Sequence, residues 1–458
     1  MARLPKALVP LRQSPFRLLA GGQLTSNLGD AFYAVALPWY VLSAHGGPLL
    51  LGSVLAAYGI ARTVLLVVGG QASDRWRPWT VMMGADAVRA VAVGALAVAA
   101  LAGRPHAYLL VPISVVIGAG EGIFLPGSFA IVPALLPDAE LEAGNAITTG
   151  GTQLAMLIGP GVGGAVVALA GATPAFAVDA ASFAVSALTL WGIRAHAVAG
   201  RAAADLPAIG ATDGTEQPAV GATYGTEQPA PAVASDLSGP APTVRHLLAT
   251  ERALQVILIV LVAANLGAGG MGEVALPALA RGPFGAGAGG YGALLAAYGG
   301  GALLGTLVAA QARRARRPAM LASAGFLIEA GCLALVPYLG GTIPAAAALL
   351  AFGALNGFGT IILMTAFQRW APPALLGQLG AVLLLAAIGV FPLSVFLAGL
   401  VVQHFGPAPF FPLAGGLLMV AIIVGLSQRS WRDFGSTAHP GDGDLVRATV
   451  AAPVQPSA

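Results

Sequence analysis

Twelve apolar stretches divide this chain, and each, at about 20 residues or more, is long enough to cross a bilayer's hydrocarbon layer as a helix. They lie near residues 17–43, 49–70, 79–101, 107–135, 141–169, 173–194, 253–280, 289–311, 319–340, 344–369, 378–403 and 408–428. A water-soluble fold cannot cover so many such stretches. In lipid every backbone polar group must find a partner within the protein, which selects helices. Composition points the same way: 57% of the 458 residues are hydrophobic and 9% charged, against about 25% charged in a soluble domain. The sequence predicts an all-α membrane protein with twelve transmembrane helices. Its many glycines suit close helix packing, as in Gly301-x-x-x-Gly305.

Orientation follows from lysine and arginine, which stay on the cytoplasmic side. With the N-terminus inside, 18 of the 22 basic residues fall in cytoplasmic segments. The outer loops hold only Arg104 and Arg281, and Arg62 and Arg89 lie within spans. Both termini are therefore expected in the cytoplasm, with the chain in the cell (inner) membrane. The basic start (Arg3, Lys6, Arg12) is not followed by a short apolar region and a cleavage site, so no cleaved signal peptide is expected. Cys332, the single cysteine, reads as a small membrane-core residue.

Residues 195–252 break the pattern. They are rich in Ala, Pro, Gly and Thr, and "GATDGTEQPAV" (210–220) is followed at once by "GATYGTEQPAP" (221–231). This tandem duplication lacks apolar periodicity and reads as a flexible cytoplasmic linker. It separates an N-terminal six-helix half (1–194) from a C-terminal one (253–428), with a disordered cytoplasmic tail at 429–458.

The halves echo each other. Sliding the sequence by 240 residues aligns 52–78 with 292–318, with eleven identities, among them Gly52, Tyr58, Gly59, Arg77 and Pro78; chance gives roughly three or four. "VALP" recurs at 35–38 and 274–277, and "PALL" at 133–136 and 373–376. Six helices per copy means that both copies insert the same way, as parallel repeats about an axis along the membrane normal.

Two parallel six-helix halves joined by a long cytoplasmic loop resemble the major facilitator superfamily. "GQASDRWRP" (70–78) resembles its helix 2–3 loop motif through Gly70, Asp74, Arg75 and Arg77, although Pro78, Trp79 and Thr80 stand where further basic residues are common. Gly159-Pro160-x-x-Gly163-Gly164 resembles the core of a helix 5 motif associated with exporters. "SNLGDAFYAVALPWYVL" (26–42) is similar to the first helix of the macrolide-efflux and enterobactin-exporter branch. The resemblance implies a conformational latch, in which Asp74 faces the positive end of the helix beginning near Gly377, an interaction worth up to ~2 kcal/mol. Arg75 and Arg77 have Asp138 and Glu142 as candidate partners. The alternative is that residues 74–77 only set topology. The second copy, "AQARRARRP" (310–318), has Arg314 in place of the aspartate.

Ionisable residues inside a membrane are costly and point to function. Asp86 and Arg89, at i,i+3, read as a structural pair. Arg62 lies at a depth suited to Asp30 or Asp86, or snorkels to the interface. Asp179 and Glu273 fall toward the outer ends of their spans, where a wet vestibule explains them. Glu329 has no assignment. In the family's fold, helices 1, 4, 7 and 10 line the central cavity, which places Asp30 and Glu121 there, with Asn27, Asn265 and Asn356 adding polarity. Asp30, with Glu121 second, is the candidate proton-coupling carboxylate; a hydrogen-bonded structural carboxylate is the alternative.

Other chemistry is missing from the sequence. "GAGAGG" (285–290) lacks the Lys-Ser/Thr of a phosphate-binding loop. The six histidines are scattered without metal-ligand spacing. No enzyme activity, metal, cofactor or nucleic-acid partner is expected; the partners are a small-molecule substrate, protons and the lipid bilayer, and the chain is expected to be a monomer. The sequence thus predicts a proton-coupled exporter of hydrophobic or amphipathic small molecules (drug, macrolide or siderophore type) working by alternating access. An importer of a specific metabolite or a transporter-derived membrane sensor is the alternative. Replacing residues 205–240 by a Gly/Ser segment of equal length is expected to leave membrane insertion and transport intact, as measured by membrane-fraction yield and substrate accumulation.

Overall fold

The computed structural model describes residues 6–44, 46–101, 107–204, 243–309, 317–372 and 375–436. Twelve long helices cross the bundle: α1 Ser14–Ser43, α2 Gly47–Arg75, α3 Pro78–Leu101, α4 Ala107–Leu135, α5 Asp138–Ala170, α6 Ala172–Ala204, α7 Arg252–Arg281, α8 Gly287–Ala309, α9 Pro318–Leu335, α10 Thr342–Trp370, α11 Leu376–Phe405 and α12 Phe410–Ser427. Eleven are long and apolar enough to cross a membrane. The twelfth, α1, has the length, but Gln23, Thr25, Ser26, Asn27 and Asp30 make it more polar; it packs against α5 and α6 inside the bundle. Proline in the first turn, where its missing N–H costs nothing, starts α2, α3 and α9. Gly171 (φ 83°) and Gly406 (φ 81°) reverse the chain after α5 and α11 in a conformation that favours glycine. Large apolar side chains such as Val91, Val98, Leu169 and Ile343 stand exposed, as a lipid-facing surface requires.

Most helices run slightly past the apolar stretches that predict them. Residues 195–204 extend α6, because "AHAVAGRAAA" is rich in the best helix former, and a short helix occupies Val244–Thr250. The stretch read as a linker is thus helical at both ends. The duplicated segment 210–231 lies outside the described residues, as does Arg313–Arg316 of the second charged run. The tail reading is corrected at its start: Arg429–Arg432 is helical, and Trp431 and Phe434 are buried and stacked 6.1 Å apart. The Trp431 indole donates to Ser323 Oγ at 3.0 Å, which ties this segment to α9. Residues 437–458 lie outside the described residues.

The internal repeat is visible in three dimensions. The pairings α2–α4, α1–α6, α3–α6 and α1–α5 recur as α8–α10, α7–α12, α9–α12 and α7–α11. Their closest crossings match residue by residue. A side chain at Gly118 or Gly122 of α4 would strike the Tyr58 or Arg62 carbonyl of α2; one at Gly353 or Gly357 of α10 would strike the Tyr298 or Ala302 carbonyl of α8. Tyr58 and Tyr298, and Arg62 and Ala302, are 240 residues apart. Gly301 and Gly305 likewise lie on the Leu350 and Ala354 carbonyls, as the small-residue pattern predicts. The "PALL" echo does not mark equivalent positions. Its first copy closes α4, whereas α10 ends at Trp370, before the second copy begins.

The halves touch through α2–α11 and α5–α8. These contacts gather at the end opposite the basic turns. There a Cβ on Gly164 would lie 2.9 Å from Gly292 Cα, and one on Gly52 would lie 3.1 Å from Gly399 Cα. Arg281, at the end of α7, donates to the Leu42 carbonyl of α1 at the same end. One hydrophobic core there combines both halves, including Val41, Leu51, Val167, Leu276, Leu294 and Val395. Toward the basic end each half keeps a core of its own, around Phe16 and Ile131 in one and Phe326 and Ile422 in the other. The molecule is therefore closed at one end and parted at the basic end. Gly292→Val forces a branched side chain against α5 backbone. Overpacking of this kind costs ~1–3 kcal/mol, and the variant is expected to insert normally but to lose transport, measured by membrane yield and dye accumulation.

Candidate functional site

A cavity of about 580 Å³ lies between the halves. Its walls differ. The N-terminal half supplies Asn27, Asp30, Arg62, Glu121, Thr152 and Gln153. The C-terminal half supplies Leu295, Tyr298, Ala302 and Phe391, with Glu273 as its one carboxylate among the described lining residues. Glu273 sits in a π-helical turn, Met271–Ala275, that widens the second half of α7.

Asp30, Glu121, Asn27, Arg62 and Glu273 line one cavity. The ion pairs differ from those expected. Arg62 reaches neither Asp30 nor Asp86 and does not snorkel; its guanidinium is 3.3 Å from Glu121, one helix away. Glu121 also accepts a hydrogen bond from the Tyr58 hydroxyl. Asp30 is paired instead with Arg89 of α3, at 2.8 Å. Arg89 keeps the expected contact with Asp86, but at a longer 3.6 Å. Its guanidinium stacks on Phe183 of α6, 3.9 Å from the ring centroid. Gly120 of α4 makes room for it: a Cβ there would lie 2.6 Å from Arg89 Cγ. Asn27 donates to Thr152 Oγ1 at 3.1 Å, joining α1 to α5.

Asn265 and Asn356 are not among the described residues lining the cavity. Asn265 donates to the Leu261 carbonyl of its own helix at 2.8 Å. Asn356 donates to Glu329 Oε1 at 3.0 Å, which gives the buried Glu329 a partner on α10. Asp179 does not face a vestibule; it is 1% exposed, between α1 and α6. The helix 5 motif is a packing surface. Gly159 and Gly163 meet Ala31 and Phe32 of α1, and Gly164 meets Gly292 of α8. In the loop motif, Asp74 is exposed, and among the described residues neither it nor Arg75 or Arg77 makes an ion pair. Arg75 lies 5.9 Å over Trp76, and Arg77 lies 5.2 Å over Trp79. Gly70 has open space around it.

Sequence reasoning missed the Asp30–Arg89 pair, because 59 residues separate its partners. Tyr58 and Tyr298 were within reach, since both lie in the aligned repeat.

A bundle of twelve membrane helices in two equivalent halves, with a polar cavity between them open at one end, has the architecture of a secondary transporter. The Major Facilitator Superfamily model matches residues 19–377, and the chain belongs to that superfamily. Transporters of this kind carry small molecules, some coupled to protons, and are not enzymes. The multidrug efflux pump Tap of Mycolicibacterium fortuitum is 30% identical over 190 residues, 40% of this chain and 46% of that one. Tap of Mycobacterium tuberculosis (strain ATCC 25618 / H37Rv) is 27% identical over 184 residues, 39% and 44% of the two chains. The matches span less than half the length of these relatives. Among solved structures, the nucleoside transporter NupG (TM-score 0.60, 13% identity, covering 90% of this chain and 98% of that one) shares the fold. So does a bacterial homologue of the iron transporter ferroportin in its inward-facing state (0.62, 14%, 92% and 98%).

Removing one partner of a buried ion pair strands the other. Arg62→Met leaves Glu121 with only Tyr58. Both charges are about one-fifth exposed (23% and 22%), so the loss is expected to fall below the ~3–5 kcal/mol of a fully buried pair. Thermal unfolding in detergent should show Arg62→Met less stable than the double variant Arg62→Met/Glu121→Gln.

Proposed function

We propose that this protein is a proton-driven exporter of amphipathic small molecules, acting by alternating access with both termini in the cytoplasm, in the cell (inner) membrane, as a monomer. The two-sided cavity carries the reading. A substrate with a polar head and an apolar body fits a site with a charged wall on one half and leucine, phenylalanine and tyrosine on the other. The positive-inside distribution makes the parted end cytoplasmic, so the cavity described above receives substrate from the cell interior. The partial similarity to Tap pumps supports efflux.

Proton coupling draws on the acidic excess of the N-terminal half. Among the described residues, the cations facing Asp30, Asp86, Glu121 and Asp179 are Arg62 and Arg89. Ionising all four leaves uncompensated charge in an apolar bundle, which is expensive. Protons relieve it, and their release to the far side drives the cycle. Asp30 and Glu121 border the cavity and are the groups a substrate meets. In the opposite conformation the basic end closes, and Asp74 then caps the start of α11.

Expression in a susceptible host is expected to lower ethidium accumulation, and a protonophore to abolish the effect; unchanged accumulation would count against export. Asp74→Asn is expected to slow transport while leaving expression and substrate binding near wild type. Wild-type rates in that variant would refute the latch.

A further inference from the structure

Asp179 is the acidic group of this cluster that no cation touches. It lies on α6, 1% exposed, and its Oδ2 has no hydrogen-bond partner among the described residues. Its Oδ1 is 3.5 Å from Ser182 Oγ, but that hydroxyl gives its single hydrogen to the Asp179 backbone carbonyl at 2.8 Å. An ionised carboxylate there receives little. A neutral carboxylic acid has a hydrogen to offer and no charge to neutralise.

The place is built into the packing. α1 and α6 close on each other at Gly29, where a Cβ would sit 2.7 Å from Asp179 Oδ1. Gly29 immediately precedes Asp30, so the two carboxyl groups flank the same turn of α1. Phe183, one turn beyond Asp179 on α6, is the ring on which Arg89 stacks while it holds Asp30. A helical turn rises ~5.4 Å, a step within the reach of a long arginine side chain. Tyr33, one turn from Gly29 on α1, lines the cavity and packs on Phe176, 6.0 Å between centroids. The charged and titratable groups around Asp179 are Asp30 and Tyr33 on α1 and Asp86 and Arg89 on α3.

We propose that Asp179 is the proton-binding site of this transporter, and that Arg89 exchanges between Asp30 and Asp179 to load and discharge it. With Arg89 on Asp30, Asp179 keeps its proton. When substrate or conformational change takes Asp30, Arg89 turns to Asp179. The O–H bond of Asp179 then breaks, the proton passes to cavity water beside Tyr33, and the guanidinium pairs with the carboxylate left behind. This deepens the proton-driven reading above and rests on it.

Two measurements on the purified full-length protein separate the ideas. The infrared difference spectrum of wild type minus Asp179→Asn at neutral pH is expected to contain the carbonyl band of a protonated carboxylic acid. Ionised carboxylate bands in its place overturn the proposal. In vesicles with an imposed pH gradient, Asp179→Asn is expected to lose uphill ethidium accumulation and to retain ethidium counterflow. Wild-type accumulation by the variant also overturns the proposal. If wild type itself shows no gradient-driven accumulation, the proton-driven reading fails, and the proposed role of Asp179 in transport falls with it even where the infrared band shows it protonated. Should Asp179→Asn not fold, Ser182→Ala is expected to shift the acid band, and an unshifted band refutes the site.

Discussion

Lipid supplies no hydrophobic force between helices, so a bundle of this kind is held by how closely its backbones approach. Here the approach is set by glycine. Gly118 and Gly122 lie on α2 carbonyls, Gly353 and Gly357 on α8 carbonyls, and Gly164 and Gly292 on each other. The first two sets make each half rigid. The last, with Gly52 and Gly399, joins the halves at one end only. Everything mobile follows from that difference. Crossings within a half are repeated and extensive, whereas the crossings between halves are few and leave the basic end parted. Rigid bodies joined at one end suit the rocking motion that the proposed alternating access requires.

The same scaffold carries different chemistry in its two copies. Arg62 of α2 corresponds to Ala302 of α8. Glu121, between Gly118 and Gly122, corresponds to Asn356, between Gly353 and Gly357. Arg89 corresponds to Glu329 at the 240-residue spacing. The first copy therefore holds ion pairs where the second holds an amide and a carboxyl joined by one hydrogen bond, Asn356 to Glu329. Glu329 occupies the cation position of the other half, which explains an acid on a peripheral helix that the sequence alone leaves without a role.

How far the sequence could be read depends on the range of the interaction. The spans were legible because length and apolarity are local and lipid enforces both; α4 and α5, only two residues apart, divide at Pro137, the residue before α5. The repeat was legible because backbone crossings preserve small residues in register, although "PALL" shows that a short match in an alanine- and leucine-rich chain can mislead. Charge partners were not legible. Arg62 was matched to the wrong acid, and Asp30 to no arginine on α3, because helix rotation decides which group faces which. Nothing local records the rotation of α3 that brings Arg89 onto Phe183. Asp179 was misread for a related reason. Its distance from the helix end suggests exposure, but the glycine opposite, Gly29, lets α1 cover it.

An asymmetric pair of halves has a consequence for coupling. If both halves carried charged networks, rocking them apart would move charge from protein contacts into water at every cycle, at a cost in each conformation. With Asp30, Asp86, Glu121, Asp179, Arg62 and Arg89 gathered in one half, and Glu273 and Glu329 in the other, the proposed exchange of Arg89 stays within one scaffold. What changes is the wall they face: Leu295, Tyr298 and Phe391 at one moment, water or substrate at another. In the proposed cycle the C-terminal wall, apolar apart from Glu273 and the Tyr298 hydroxyl, alters the dielectric surroundings of the acidic cluster as it moves. The proposed coupling thereby ties proton affinity and substrate access to the same displacement, with Arg89 changing partner inside its own half.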